Sequence, residues 1–500
     1  MKKLNKVFKG LIYALPAVLF FSYYPIITFG SDNTMNFELS LPLIWLVLFD
    51  LVSLVLLVRE KRLGGIFKWW TMLLFPIFAS LSLIWSLNLV RGILTVGIMW
   101  LVYFASLAVV LLRDIVGNKE DFCRNFLKGL FLSSLLACGW CLVQSILDTA
   151  GLSREQTLMC PGCVSQMFGF PHPNGFAIEP QFMGNLLLAP ALVAVWLYLK
   201  EQNNKNLGQE RSRGDNFYNG SVGAHTKLQF RDSLRDRCKN YSGSRFLCPK
   251  FLLFCFFIIV FTLFLTFSRG AIYSFIVAMM FMSGFLLVRE RKKIVKRLMM
   301  VWGVIILSFL SVLNLQGIMA AVGPTNTTYG SAVTKVLNHL SLGIIDVREK
   351  EFDDVPVNIP DDAPVYDGYV EESTNIRMEL TRNAIKVWSK DFKNAAIGVG
   401  IGGAGKAMYD EGLIWSPKEI VQNEYASVLL ELGLVGVVLA LIVVVLLFRV
   451  FAKSPANALL LPLLVAYGVS LFFFSGFANA LQIYILPVVF YIVFRKKLVS

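Results

Sequence analysis

The stretch G-I-G-G-A-G-K-A, Gly400 to Ala407, decides what kind of molecule this is. Read as a phosphate-cradling loop, it would open an α/β nucleotide-binding fold. It fits G-x-G-x-x-G through Gly400, Gly402 and Gly405, and G-x-x-x-x-G-K as far as Lys406. The next position of that pattern needs a Ser or Thr hydroxyl for magnesium, and here it is Ala407. The reading depends on the side of a membrane on which the stretch lies.

The chain has 500 residues, 56% hydrophobic and 16% charged, with a mean hydropathy of +0.63. A soluble domain is about half apolar and about a quarter charged. The surplus apolar residues fall in runs of roughly 18 or more, the length that crosses a hydrocarbon core of about 30 Å. Twelve spans are expected, near 10–29, 40–58, 66–86, 92–112, 126–148, 177–199, 251–267, 270–288, 299–320, 424–448, 457–475 and 480–494. The first run lacks a small-x-small cleavage site, so no removable signal peptide is expected. The expected fold class is an all-α polytopic membrane protein of about twelve transmembrane helices. It divides into an N-terminal transmembrane bundle (1–199), a basic cytoplasmic loop (200–250), transmembrane helices around an S-R-G-A turn (251–320), a large extracytoplasmic, partly helical loop (321–423) and C-terminal transmembrane helices (424–500).

Net charge is +14, but the basic residues lie between apolar runs, which points to membrane topology and away from nucleic acid. With Lys2, Lys3, Lys6 and Lys9 inside, the runs at 59–68, 113–128, 200–250, 289–297 and 495–497 also lie inside. The densest is Arg289, Arg291, Lys292, Lys293, Lys296 and Arg297, whereas the short outer loops carry only Arg91, Arg154 and Arg269. Gly400 then lies outside, where ATP and NAD are scarce, and no strand–helix alternation surrounds it. The stretch reads as a turn that docks a helix closely against the membrane domain.

Ionisable residues at a membrane boundary are costly to hold and are candidates for function. Arg269 stands in T-F-S-R-G-A, Thr266 to Ala271, between two apolar runs. A guanidinium there could grip a phosphate through two parallel hydrogen bonds, or serve as an interfacial anchor or a cap on the preceding helix. The outer loop turns helical from Ser373 to about Phe392, with Ile376, Leu380, Ala384, Ile385 and Trp388 on one stripe. That helix carries Arg377 and Arg382, which point to different faces. At the next span entrance stand Gln422, Asn423 and Glu424, with Glu431 two turns further in. A fourth element, Phe168 to Pro180, carries His172, Asn174 and Glu179.

This ordered set resembles the O-antigen ligase and polysaccharide polymerase superfamily of bacterial envelope proteins. The matching features are S-L-I-W-S (Ser82 to Ser86), P-N-G-F-A before a span, S-R-G-A after one, Ser373…Arg377 with G-V-G-I-G following, and N-E-Y…L-L-E-L-G-L-V-G. The resemblance covers roughly residues 70–490. It implies a multi-pass protein of the bacterial inner membrane that takes a lipid-linked oligosaccharide on undecaprenyl diphosphate as donor and transfers glycan to an acceptor glycan or lipid. An acceptor hydroxyl attacks the anomeric carbon and the lipid diphosphate leaves, with fixed cations in place of a metal and no cofactor. It assigns diphosphate binding to Arg269 and Arg377, with Arg382 in reserve and Gln422 and Asn423 beside them.

Members of the ligase branch share a His-Asn pair at the span entrance, the His being the proposed general base. Here that place holds Gln422 before Asn423, and a carboxamide cannot take a proton at neutral pH. Glu424, Glu179 and His172 are the remaining candidates for the base, and His339 also lies outside. Gln166 stands near the place before Gly169 where relatives often carry Arg. These departures favour a polymerase or another glycan transferase over a ligase. The rival readings are a lipid-linked sugar transporter and an inactive family member. A transporter should show internal repeats and mid-membrane charge, and neither is evident in the sequence. Of the eight cysteines, only Cys160 and Cys163 fall outside, where a local disulfide is expected. No metal-ligand spacing is present.

Overall fold

The computed structural model describes residues 2–21, 25–29, 37–116, 119–149, 173–177, 179–215, 248–290, 292–322, 328–341, 372–474 and 481–494. His172, Gln166, Cys160, Cys163 and most of the basic loop lie outside the described residues. The described chain is a multi-pass helical bundle. Eight of its helices are long and apolar enough to cross a membrane, and three shorter apolar ones accompany them (Pro249–Leu265, Asn457–Ser470 and Leu481–Val493).

The N-terminal bundle comprises α1 (Lys2–Phe20), α2 (Leu41–Arg59), α3 (Trp70–Leu81), α4 (Leu89–Leu111), α5 (Lys119–Thr149) and α6 (Pro180–Asp215). The expected first span, 10–29, is corrected: the helix ends at Phe20 and a hairpin follows, β1 (Pro25–Phe29) against β2 (Phe37–Ser40). Pro25 cannot continue a helix, and β-branched Ile26, Ile27 and Thr28 suit an extended chain. One mid-helix acid also escapes the hydropathy reading. Asp50 of α2 is 6% exposed, with neither carboxylate oxygen hydrogen-bonded among the described residues.

The second half comprises α7 (Pro249–Leu265), α8 (Arg269–Glu290), α9 (Lys292–Val322), α10 (Tyr329–Leu340), α11 (Glu372–Trp388), α12 (Phe392–Ile397), α13 (Ala404–Asp410), α14 (Glu424–Ala452), α15 (Asn457–Ser470) and α16 (Leu481–Val493). The apolar stripe of α11 differs from expectation. Leu380, Ala384 and Val387 are buried, whereas Ile376 and Ile385 are 38% and 44% exposed. The i, i+4, i+7 spacing keeps the first three on one line, and Ile385 is turned about 100° from Ala384. Leu380, Ala384 and Val387 share a small core with Val399, Ala407, Met408, Val421, Ala426 and Leu430, so the outer segment rests directly on α14. Within α14 the backbone breaks helical geometry at Gly433 (φ +62°, ψ −166°), just past Glu431.

Candidate active site

In the S-R-G-A turn each residue has a distinct physical role. Thr266 ends α7, its hydroxyl donating to the Leu263 carbonyl at 2.8 Å, and Phe267 takes φ +49°. That left-handed value is unusual for a bulky side chain. His339 of α10 braces it, with Nε2 3.1 Å from the Phe267 carbonyl oxygen. Ser268 caps α8, its hydroxyl accepting the Ala271 N–H at 3.4 Å. Arg269 opens α8 and is 9% exposed. A Cβ on Gly270 would lie 2.6 Å from Cβ of Phe473, so only glycine lets the turn after α15 come this close.

That turn, Leu471 to Phe474, gathers three helix starts. The Gln181 carboxamide of α6 donates to the Phe473 carbonyl, and the Glu424 backbone N–H donates to the Leu471 carbonyl at 2.9 Å. Tyr425 donates its hydroxyl to the Gly468 carbonyl at 2.6 Å. Phe182 and Phe474 pack with ring centroids 4.6 Å apart. Arg269, Glu424 and the start of α6 therefore sit around one turn. Glu179, two residues before Gln181, is exposed there.

Arg377 reaches the same entrance from α11. Its Nε donates to Oε1 of Gln422 at 2.7 Å, across 45 residues of sequence. The carboxamide thus accepts from the arginine and fixes its direction. A protonated imidazole would instead repel it. Arg382 is exposed, as the five-residue offset predicts. Asn423 is the N-cap of α14, its side chain accepting from Tyr425 N–H at 3.1 Å and Ala426 N–H at 3.2 Å. Asn423→Ala is expected to cost about 1 kcal/mol of stability, read as a lowered unfolding temperature of the purified protein. Glu424 is close enough to act electrostatically on Tyr425 and on Tyr484 of α16. Nothing in the sequence order points to Tyr484. Asn174 is buried and donates to the Ala177 carbonyl at 2.9 Å, while Gln144 of α5 donates to its side-chain oxygen at 2.8 Å; P-N-G-F-A is a structural lock. Among the described residues, no three His, Cys, Asp or Glu side chains converge to hold a metal ion.

The glycine stretch lies beside this entrance and is held from two sides. The Val399 N–H donates to the Leu430 carbonyl at 3.0 Å, and the Gly400 N–H to the Glu431 carbonyl at 2.9 Å. On the opposite side, the Ile401 N–H donates to Ser82 Oγ at 3.1 Å, and Ser86 Oγ donates to the Ile401 carbonyl at 2.8 Å. The turn does hold an acidic group, and that group is the chain's own Glu431 side chain. The Glu431 carboxylate accepts from Ala404 N–H at 3.4 Å and from Gly402 N–H, and it faces Arg91. Between these two donors, the Gly403 N–H closes the turn itself by donating to the Gly400 carbonyl at 3.0 Å.

Residues 254–441 match the family model described as O-Antigen ligase. The matched segment runs from α7 into α14 and contains the S-R-G-A turn, Arg377, the glycine turn and N-E-Y…L-V-G. Ser82 and Ser86 lie ahead of it in sequence, yet both are bonded to it through Ile401. No curated protein matches the chain. Through this matched segment, the chain is similar to the O-antigen ligase family.

Proposed function

We propose that the protein is a membrane glycosyltransferase of twelve spans that moves glycan from an undecaprenyl-diphosphate carrier to an acceptor sugar hydroxyl at the outer face of the cytoplasmic membrane. The observation that supports it best is the Gln422–Arg377 bond at the entrance where Glu424 and the turn beside Arg269 meet. In this reading the acceptor oxygen attacks the anomeric carbon as the bond to the diphosphate oxygen breaks. Charge grows on the diphosphate, and the guanidinium groups of Arg269 and Arg377 stabilise it without a metal. Gln422 keeps Arg377 aimed, Asn423 fixes the start of α14, and Arg382 remains a secondary contact. The proton passes to a carboxylate at the same entrance, and Glu424 suits this best among Glu424, Glu179 and His172.

The test is a reconstituted reaction with labelled undecaprenyl-diphosphate oligosaccharide, with chelator and without. A ladder of products indicates a polymerase and a single shifted band a ligase. Absence of any transfer, or a strict metal requirement, contradicts the reading. Glu424→Gln is expected to lower the rate roughly 10²-fold or more, within the range of general-base catalysis, while His172→Ala leaves it near wild type. An unchanged rate in Glu424→Gln removes that residue from the role.

A further inference from the structure

Glu431 is a carboxylate that the transfer reaction does not use, placed where the outer segment and the membrane domain interlock. Its backbone carbonyl accepts from Gly400, and its side chain accepts from Gly402 and Ala404 and faces Arg91. Arg91 in turn donates from Nη1 to the Lys418 carbonyl at 3.3 Å, so the same cation also holds the segment leading to Gln422. One helical turn before Glu431, Ser427 donates its N–H to the Asn423 carbonyl at 2.9 Å. The core that seats α11 includes Val399 and Ala404 from the glycine turn and Leu430 from α14. This interlock is one of two routes from the membrane domain to Arg377, the other running through the Leu471–Phe474 turn and Glu424.

We infer that Glu431 is a positioning residue: its carboxylate pins the glycine turn to α14 and thereby sets where Gln422 holds Arg377. The inference rests on the glycan-transfer reading for its kinetic consequence alone. Ala404 presents its backbone N–H to the Glu431 carboxyl at 3.4 Å, with the Gly402 N–H and Arg91 near enough to act on it electrostatically. Without that carboxyl group, the Ala404 N–H loses its side-chain acceptor. The turn then loses its tie to the Glu431 side chain, while its backbone bonds to Leu430 and Glu431 and its bonds to Ser82 and Ser86 remain. Loosening, not collapse, is the consequence, and it falls on α11. Arg269 is seated separately, by its own capped turn against Phe473. Donor capture through Arg269 should therefore persist while the arginine from α11 is misaimed.

The experiment uses full-length protein in lipid nanodiscs. Glu431→Ala is expected to lower kcat roughly 10- to 100-fold, the scale of a misplacement of about 1 Å, with KM for the labelled carrier changed less than about twofold. Amide hydrogen exchange over residues 398–405 should quicken in the same variant. Millimolar formate, a free carboxylate of the right size, should restore both kcat and exchange protection saturably. Glu431→Gln keeps the size and one acceptor oxygen but sets an NH₂ towards Arg91. It should lie between wild type and Glu431→Ala and ignore formate, and it carries the exchange comparison if Glu431→Ala does not fold. Wild-type kcat in Glu431→Ala, unchanged exchange over 398–405, or a folded Glu431→Ala that formate does not restore overturns the inference. If wild-type protein transfers no glycan, the reading of function falls, while the exchange and formate measurements still decide whether Glu431 is the pin.

Discussion

Arg269→Lys is expected to lower glycan transfer roughly 10²- to 10³-fold, the loss seen when one preorganised donor to a developing oxyanion is removed. Lysine keeps the charge but not the fork that can meet a diphosphate with two parallel N–H groups. The surrounding turn amplifies the difference. Arg269 is 9% exposed, and its neighbours are fixed by the Ser268 cap and by the contact of Gly270 with Phe473. A flexible ammonium cannot exploit such a frame. Arg269→Ala should abolish transfer altogether, and Arg377→Ala likewise, with protein levels in the membrane unchanged. The check is the initial rate with labelled carrier at equal amounts of reconstituted protein. Full activity in the lysine and alanine variants of both residues removes the arginines from the mechanism.

Gly402→Ala should be the most damaging single change to folding. Gly402 has φ +77°, and a Cβ there would lie 2.5 Å from the Gly92 backbone nitrogen and 2.8 Å from its Cα. The left-handed backbone alone costs an alanine about 1–2 kcal/mol, and a clash with backbone atoms has no rotamer to relieve it. Loss of about 4 kcal/mol or more is expected, seen as failure to recover folded protein from the membrane. Gly412→Ala is the control. It shares the left-handed conformation (φ +66°) but has nothing within 4 Å of the added Cβ. It should cost only the backbone term, about 1–2 kcal/mol, and leave activity near wild type. Equal yields of the two variants would show that the backbone contact between the glycine turn and α4 is not made.

The contrast between these glycines shows what the sequence can and cannot convey. Hydropathy places most of the long helices, though not the first, because a span must be apolar along its whole length. The starts of α6, α8 and α14 fall within three residues of the expected edges. The glycine stretch declares that a backbone approaches closely or turns left-handed, but not what it approaches. Its partners are Ser82, Ser86 and Gly92, more than 300 residues earlier, and Glu431, about 30 later. The bond between Arg377 and Gln422 is likewise invisible along the chain, and so is the turn at Leu471–Phe474 that draws α6, α8 and α14 together. Asp50 was hidden for the opposite reason. One carboxyl in a strongly apolar window barely moves the average, though its burial in α2 is costly. Gln422 is the most instructive case. Read by type it is a base that cannot accept a proton, whereas in place it is the acceptor that orients an arginine.

A double-mutant cycle on carrier binding tests the central claim, two guanidinium groups on one diphosphate, most directly. Affinity of a non-hydrolysable undecaprenyl-diphosphate oligosaccharide analogue would be measured for wild type, Arg269→Lys, Arg377→Lys and the double variant in nanodiscs, and repeated with the monophosphate carrier. The predicted result is a coupling energy of about 0.5–3 kcal/mol between the two positions on the diphosphate that vanishes on the monophosphate. Strictly additive losses on the diphosphate would contradict it, because two arginines that share no anion cannot be coupled through one.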